Sequence, residues 1–223
     1  MTTELLERLD LGPLGEFRPG NQHTDISVPS LRVDPAFIHT DPPVPILYSH
    51  DPLLLIAFDQ AIANTGWAVL HFDSSNIVEI RGIGTIKTRT EGELTSWADT
   101  LDRSTRLATD IEKLLIQWQP NLVVHEMPPV GKGPFVRRSE SSVVAATAVR
   151  ITASSLSLPV EHVGANKAKK HLTGNAKAKK DEVKGAIKAR IEHGSIIEVF
   201  ETGRYNEHIW DAIALGITYG ELR

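Results

Sequence analysis

The sequence of 223 residues predicts an α/β fold with a mixed sheet, in which three antiparallel strands come first and parallel strands follow. Three apolar stretches of strand length, Leu53–Phe58, Gly66–Phe72 and Ile77–Thr88, are separated only by short turns, a pattern typical of a meander. A helical pattern over Thr95–Trp118 then leads to another apolar run, Asn121–Glu126. Because a strand that follows a crossover helix normally runs parallel to an earlier strand, we expect this run to join the sheet in parallel.

The remaining elements complete the sheet and its flanks. Ser139–Leu158 is rich in Ala, Ser, Val and Thr and predicts a helix that is either buried or part of a dimer interface. Pro159–Val163 predicts a fifth strand, and Asn206–Arg223 predicts a final helix with one apolar face. The sequence therefore predicts a five-stranded mixed sheet flanked by helices, formed by residues 52–223.

The first 51 residues differ from the rest of the chain. They carry scattered charges, no sustained hydrophobic period and seven prolines: Pro13, Pro19, Pro29, Pro35, Pro42, Pro43 and Pro45. We expect a Pro-rich arm over residues 1–51 that is partly extended or disordered. It lacks the basic start and apolar segment of a secretory signal, so we expect a protein that is not secreted.

Composition excludes several classes of function. The chain has no cysteine, which excludes disulfides, thiolate zinc sites and a cysteine nucleophile. No run of eighteen apolar residues is present, so we expect no membrane span. The net charge is −4, so contact with nucleic acid requires a local basic patch.

Acidic residues stand in apolar settings at three places. Asp59 ends the first strand and Glu126 ends the strand after the crossover helix. If these strands are neighbours, the two carboxylates emerge side by side, where a divalent cation would relieve their repulsion. Asp211 lies on the apolar face of the final helix, with His208 three residues before it on the same side. A turn or capping Asp and an ordinary strand-end Glu are the competing interpretations.

Two basic segments predict contacts with a nucleic-acid strand. The loop Met127–Arg138 holds an aromatic residue among cations: Lys132, Phe135, Arg137 and Arg138. The stretch Lys167–Arg190 predicts a helix end, a Gly-Asn turn and a new helix, and its expected phosphate ligands are Lys169, Lys170, Lys177, Lys179 and Lys180. A solvated loop with a core-anchoring Phe, and a solvated helix face, remain the alternatives.

Four motifs in this order resemble the RuvC family of Holliday-junction resolvases, which has a ribonuclease H-like fold. IAFDQAIANTGWAVL is similar to the family's first strand, acidic residue and Thr-Gly turn, and LVVHEM to the strand that ends in the second acidic residue. KKHLTGNAKAKKDEV resembles the basic segment, and HIWDAIALGITYG resembles the final helix. The resemblance covers about Leu53–Gly220.

This resemblance implies a site and a chemistry. The family's metal-binding carboxylates would correspond to Asp59, Glu126 and Asp211, the fourth position to His208, and the DNA-contacting lysines to Lys169 and Lys180. It implies two Mg²⁺ ions, for which Mn²⁺ would substitute, and cleavage that leaves 5′-phosphate and 3′-hydroxyl ends. It also implies four-way junctions and other branched DNA as substrate, a homodimer that nicks two strands symmetrically, no nucleotide cofactor and a cytoplasmic location.

The chain departs from the family pattern in three respects. Ala61 or Ile62 stands where a Gly usually follows the first acidic residue, and Pro129 replaces the aromatic that usually follows the second. The N-terminal arm is additional to the bacterial enzymes and indicates a bacteriophage member. The alternatives are a nuclease of the same fold acting on RNA or an RNA–DNA hybrid, a non-catalytic branched-DNA-binding module and, remotely, an actin-like ATPase, which this chain is too short to form.

Overall fold

The computed structural model describes residues 52–73, 78–90, 92, 95–128, 136–191 and 207–223, with the backbone alone described at 136–139. The chain divides into two units, Met1–Leu47 and Tyr48–Arg223, and every described residue belongs to the second. The predicted N-terminal arm and the predicted loop residues Lys132 and Phe135 therefore lie outside the described residues.

A five-stranded sheet forms the centre of the described unit. Its strands in chain order are β1 Leu53–Asp59, β2 Asn64–Phe72, β3 Val78–Lys87, β4 Leu122–Glu126 and β5 Val160–Val163. They lie in the spatial order β3-β2-β1-β4-β5, so the first strand is the central one. The meander of β1, β2 and β3 is antiparallel, whereas β4 runs parallel to β1 and β5 runs parallel to β4. The predicted mixed sheet is confirmed.

The helices connect and flank these strands. Those in the described part of the chain are α1 Ser96–Trp118, α2 Val136–Ser155, α3 Ala165–Thr173, α4 Lys180–Lys188 and α5 Glu207–Leu222. Helix α1 begins where the side chain of Thr95 accepts a hydrogen bond from the backbone of Ala98, and it ends at Gln119 in a left-handed conformation. None of the described helices is long and apolar enough to cross a membrane.

The sheet separates two apolar cores. Alternate residues of β1 point to opposite faces: Leu55 belongs to one core and Ile56 to the other, and both are fully buried. The first core is completed by α3, α4 and α5, and the second by α1 and α2. Burial on both faces explains why the sequence of β1 is a continuous apolar run and does not alternate.

Two predicted starts differ from the structure by two residues or more. β2 begins at Asn64, two residues before the predicted start, because Asn64 and Thr65 already pair with the end of β3. α2 begins at Val136, so Arg137 and Arg138 belong to its first turn; their predicted placement in a loop was wrong. The Gly-Pro composition that precedes them indicated a longer loop than the backbone forms.

Candidate active site

Asp59 and Glu126 lie side by side at one edge of the sheet. They are the last residues of β1 and β4, which run parallel with Phe58 paired to His125, so both strands end at the same level. Asp59 is 8% exposed, and its side chain shares a hydrogen bond with Glu126. The predicted juxtaposition of the two carboxyl groups is therefore present in the structure.

Gln60 fastens these two strand ends together. Its Nε2 donates a hydrogen bond to the carbonyl oxygen of Glu126 at 2.7 Å, and its Oε1 accepts one from the Glu126 backbone N–H at 3.0 Å. The residue is almost fully buried. Because both ends of the amide are used, Gln60 continues the pairing of β1 with β4 one step past the last strand residues and fixes the separation of the two carboxyl groups.

The first two turns of α5 bring His208 and Asp211 to the same edge. Nδ1 of His208 lies 2.5 Å from Oδ2 of Asp59. In the sheet, Asp59 of β1 is the register partner of Gly66 of β2. A Cβ atom added at Gly66 would lie only 2.1 Å from the carbonyl oxygen of His208. The absence of a side chain at Gly66 therefore lets the helix approach closely enough for the contact between His208 and Asp59.

Burial and mutual repulsion shift the pKa values of the acidic groups. Burial, reinforced by the neighbouring charge of Asp59, raises the pKa of Glu126 to about 8. Burial also raises the pKa of Asp211, with a further contribution from Asp59. The hydrogen bond that Nδ1 of His208 donates to the carboxylate of Asp59 raises the pKa of His208. The carboxyl groups thus share a region that favours bound protons or another cation.

Lysines surround the cleft that contains these carboxyl groups. Asp59, Glu126 and Asp211 line it together with Lys169 from α3 and Lys180 from α4. The apolar part of its lining consists of Ala165, Ala168, Val183, Trp210, Ala214 and Leu215. A cleft lined by both carboxylates and lysines suits a phosphodiester, because the lysines offset the repulsion between its phosphate and the carboxylates.

Two further residues of the cleft were not among the predicted site residues. Lys184 lines it, with its Nζ 5.9 Å from the centroid of the Trp210 ring. Glu207, the first residue of α5, also lines it and forms an ion pair with Lys180. Lys184 follows Lys180 by four residues on one helix, a spacing that places both on the same face and was readable from the sequence.

The other predicted DNA ligands lie elsewhere. Lys170, Lys177 and Lys179 are exposed around the turn between α3 and α4 and do not line the cleft. The side chains of Arg137 and Arg138 lie outside the described residues, as do Lys132 and Phe135. Their roles stay predictions.

The donor set fits a hard divalent cation. Within the described ranges, no three acidic or histidine side chains are already grouped around a common point as metal ligands. The carboxyl oxygens of Asp59, Glu126 and Asp211 are nevertheless the ligand type that Mg²⁺ prefers. Burial first, and the charge of Asp59 second, raise the pKa values of Glu126 and Asp211, so their ionised forms lack sufficient stabilisation in the cleft. A bound cation would supply that compensation.

The chain is similar to curated proteins over 74% of its length. No protein-family model matches the chain. The crossover junction endodeoxyribonuclease RuvC of Wolbachia pipientis wMel is 30% identical over 166 residues, which are 74% of this chain and 92% of the relative. RuvC of Wolbachia sp. subsp. Drosophila simulans (strain wRi) is 29% identical over the same length and the same shares.

Solved structures agree with the topology. Thermus thermophilus RuvC superposes with a TM-score of 0.60 at 19% identity, covering 76% of this chain and 96% of the other. The same enzyme in complex with Holliday junction substrate gives an equal TM-score and identity, covering 74% and 92%. These likenesses confirm the predicted ribonuclease H-like fold. The relatives named here are bacterial, and a bacteriophage origin stays a prediction. On the sequence identity and coverage of its relatives, the chain belongs to the RuvC family of crossover junction endodeoxyribonucleases.

Proposed function

We propose that this protein is a structure-selective endodeoxyribonuclease that resolves four-way DNA junctions. The observation that carries the proposal is the convergence of Asp59, Glu126 and Asp211 from three different elements in one cleft with lysine walls. RuvC of Thermus thermophilus, which shares the fold, has been captured in complex with Holliday junction substrate. Other branched DNA, such as forks and flaps, belongs to the same proposed substrate class.

The reaction needs a divalent cation in this proposal. Asp59, Glu126 and Asp211 would hold Mg²⁺, with Mn²⁺ as a substitute, and two ions are expected for in-line displacement. When bound, such ions supply Lewis-acid stabilisation of the phosphate and lower the pKa of a water molecule. The protein's contribution is to keep the three carboxyl groups at one edge of the sheet. The hydrogen bonds between the Gln60 amide and the backbone of Glu126 hold the ends of β1 and β4 together, and the packing of α5 on β2 brings in Asp211.

The chain's own residues position the substrate and manage protons. Lys169, Lys180 and Lys184 bind the phosphate oxygens, and Glu207 is displaced from Lys180 when a phosphate arrives. Water attacks the phosphorus and the bond to the 3′ oxygen breaks, which leaves a 5′-phosphate and a 3′-hydroxyl. Asp59 orients His208 through Nδ1, so His208 either completes the ligand set or accepts the proton of the attacking water.

We also propose that the active form is a homodimer. A four-way junction has two-fold symmetry, and paired nicks need two cleavage centres related in the same way. The exposed stripe of α2 suits such pairing, because Glu140, Val143, Thr147 and Arg150 recur at helical spacing away from the core. Two antiparallel copies crossing near residue 145 would place Glu140 opposite Arg150 and Val143 opposite Thr147.

The remaining parts of the proposal concern location and the N-terminus. We propose that the protein acts in the cytoplasm, where it meets recombining DNA. Residues 1–51 are proposed to be an arm separate from the nuclease unit.

A cleavage assay tests the proposed function. Purified protein is mixed with an immobile four-way junction, a linear duplex and an RNA–DNA hybrid, each with and without Mg²⁺, beside the Asp211→Asn variant. We expect symmetric paired nicks in the junction only, dependent on Mg²⁺ and absent from the variant. Cleavage of the hybrid alone would replace the substrate class with RNA. Junction binding without cleavage would indicate a binding module.

A further inference from the structure

A second cavity lies on the same side of the sheet as the catalytic cleft. It is formed by β5, the first half of α3 and the last turns of α5, and its polar lining consists of Glu161, His162, Lys167, Thr218, Tyr219 and Arg223. Helices α3 and α5 contribute to both depressions, but with different residues. We refer to it as the α5-end cavity.

The charges of the α5-end cavity are suited to an anion. Two permanent cations, Lys167 and Arg223, line it against one carboxylate, that of Glu161. In the part of the chain that the structure describes, neither cation is ion-paired with an acidic side chain. The guanidinium of Arg223 instead lies 5.7 Å from the centroid of the buried Phe72 ring, which restrains it while leaving its donors unclaimed by a carboxylate.

Thr218 independently indicates that the α5-end cavity binds a ligand. The residue lines the cavity and is fully buried, and its Oγ1 has no hydrogen-bond partner among the described residues. A helical threonine normally satisfies its hydroxyl on the carbonyl four residues earlier. A buried hydroxyl without a partner costs free energy unless a ligand oxygen accepts its hydrogen bond.

The cavity's position relates it to the cleavage site. Asp211 and Thr218 are both on α5, seven residues apart, which corresponds to about 10 Å along the helix axis. One strand of B-DNA advances about 3.4 Å per nucleotide along the duplex axis and also winds around that axis, so phosphates about 10 Å apart in space are separated by about one or two nucleotides. We propose that the α5-end cavity binds a backbone phosphate of the DNA arm about one or two nucleotides from the scissile phosphate, through Lys167, Arg223 and the Thr218 hydroxyl. This assignment rests on the proposed function.

Binding measured as a function of salt tests this assignment. Wild type, Lys167→Ala, Arg223→Ala and Thr218→Val are titrated with a four-way junction and with a linear duplex in EDTA, between 50 and 200 mM salt. Lys113→Ala is the matched control, because it removes one exposed cation from α1 on the opposite face of the sheet. We expect the slope of log affinity against log salt concentration to be shallower by about 0.9 in Lys167→Ala and in Arg223→Ala than in wild type. The loss of affinity of each variant relative to wild type should therefore shrink about 3.5-fold across this range.

The threonine variant separates binding from packing. Thr218→Val keeps the shape and removes the hydroxyl, so we expect an equal or higher melting temperature together with weaker DNA binding. A higher melting temperature with unchanged DNA affinity would assign Thr218 to packing and overturn its part in the site. Salt slopes of Lys167→Ala and Arg223→Ala equal to those of wild type and Lys113→Ala would overturn the site itself.

Two further results are informative. One distinguishes a free phosphate from a DNA phosphate, and the other distinguishes failure of the proposed function from failure of the cavity assignment. Inorganic phosphate that raises the melting temperature of wild type but not of Lys167→Ala, with unchanged DNA salt slopes, would identify a free-phosphate site and contradict the DNA assignment. A wild-type protein that binds junction and duplex equally and cuts neither would contradict the proposed function, whereas the slopes on duplex DNA would still decide the role of the cavity.

Discussion

His208 and Asp59 are joined by a contact of 2.5 Å between Nδ1 and Oδ2, which ties the final helix directly to the end of the central strand. The two residues are 149 positions apart in the sequence. Because Asp59 also shares a hydrogen bond with Glu126, one carboxyl group connects three separate elements of the cleft.

Substitutions of His208 should separate its two proposed roles. An Asp at this position would offer carboxylate oxygens to the same cation, so we expect His208→Asp to retain cleavage at raised Mg²⁺. His208→Asn, which removes charge and basicity, is expected to lower the single-turnover cleavage rate at least about 100-fold. Both variants should still bind the junction. Full activity of His208→Asn would show that the imidazole neither completes the ligand set nor takes a proton.

The thermal stability of the protein should depend on pH and Mg²⁺ together. The pKa of Glu126 is about 8 in the folded protein against an ordinary 4.5, so the unfolded chain releases its proton first as pH rises. The free energy of unfolding should therefore fall between these values, and the raised pKa values of Asp211 and His208 act in the same direction. Mg²⁺ should raise the melting temperature more at pH 8 than at pH 5, where protons compete with it.

Glu126→Gln is the control for that measurement. The variant keeps the shape and removes the titrating group, so its stability should fall less between pH 4.5 and 8 and its response to Mg²⁺ should be smaller. An equal Mg²⁺ shift at both pH values in wild type would mean that the cation binds outside the cleft.

Lys184 provides a test of the cleft on a single helix. Lys184→Ala removes a cation that lines the cleft, whereas Lys188→Ala removes one from the next turn of α4, outside it. We expect Lys184→Ala to weaken junction binding and to reduce the salt slope by about 0.9, with Lys188→Ala close to wild type. Lys184→Arg should restore much of the affinity, because it keeps the positive charge. Equal effects of the two alanine variants would indicate a general effect of charge.

Gly66→Ala tests the close approach of α5 to β2. The added methyl group would overlap the backbone of His208, so we expect a loss of about 1–3 kcal/mol in stability together with reduced cleavage. Gly185→Ala is the matched control, since a Cβ there meets nothing within 4 Å, and alanine should stabilise α4 by up to about 1 kcal/mol. A stable and fully active Gly66→Ala would show that the contact between His208 and Asp59 is dispensable.

Charge exchange on α2 tests the proposed dimer. Glu140→Arg and Arg150→Glu each place like charges opposite one another in an antiparallel pair, and we expect each to shift the protein towards monomer in analytical ultracentrifugation. The double variant restores opposite charges and should recover the dimer. If all three variants sediment like wild type, subunits pair through another surface or not at all.

The sequence was sufficient to predict the mixed sheet and to select the three carboxylates that the structure brings into one cleft. Apolar runs that end in Asp59 and Glu126, separated by one crossover helix, have few alternative arrangements in a right-handed α/β topology. The hydrogen bonds between the Gln60 side chain and the backbone of Glu126 were not predictable, because they depend on the register between β1 and β4 and not on any local pattern. The ion pair between Lys180 and Glu207 likewise joins residues 27 positions apart.

Other differences arose from competing local signals. Gly and Pro before Arg137 indicated a loop, whereas α2 had already begun at Val136. Lys170, Lys177 and Lys179 belong to the same basic segment as Lys169 and Lys180. Which of these lysines line the cleft depends on the arrangement of α3, α4 and the turn between them in three dimensions. A charge run identifies the region that faces a polyanion, but not the members that touch it.

The division of the interior into two cores by the central sheet has a consequence for the evolution of this protein. Side chains of α1 and α2 pack on one face, while the cleft is built from strand ends and from α3, α4 and α5 on the other. If α2 forms the proposed dimer interface, mutations in the α1–α2 layer can alter how two copies associate without disturbing the carboxylates. Related proteins would then keep the same cleavage chemistry while the spacing between two cleavage centres changes, and with it the range of branched substrates.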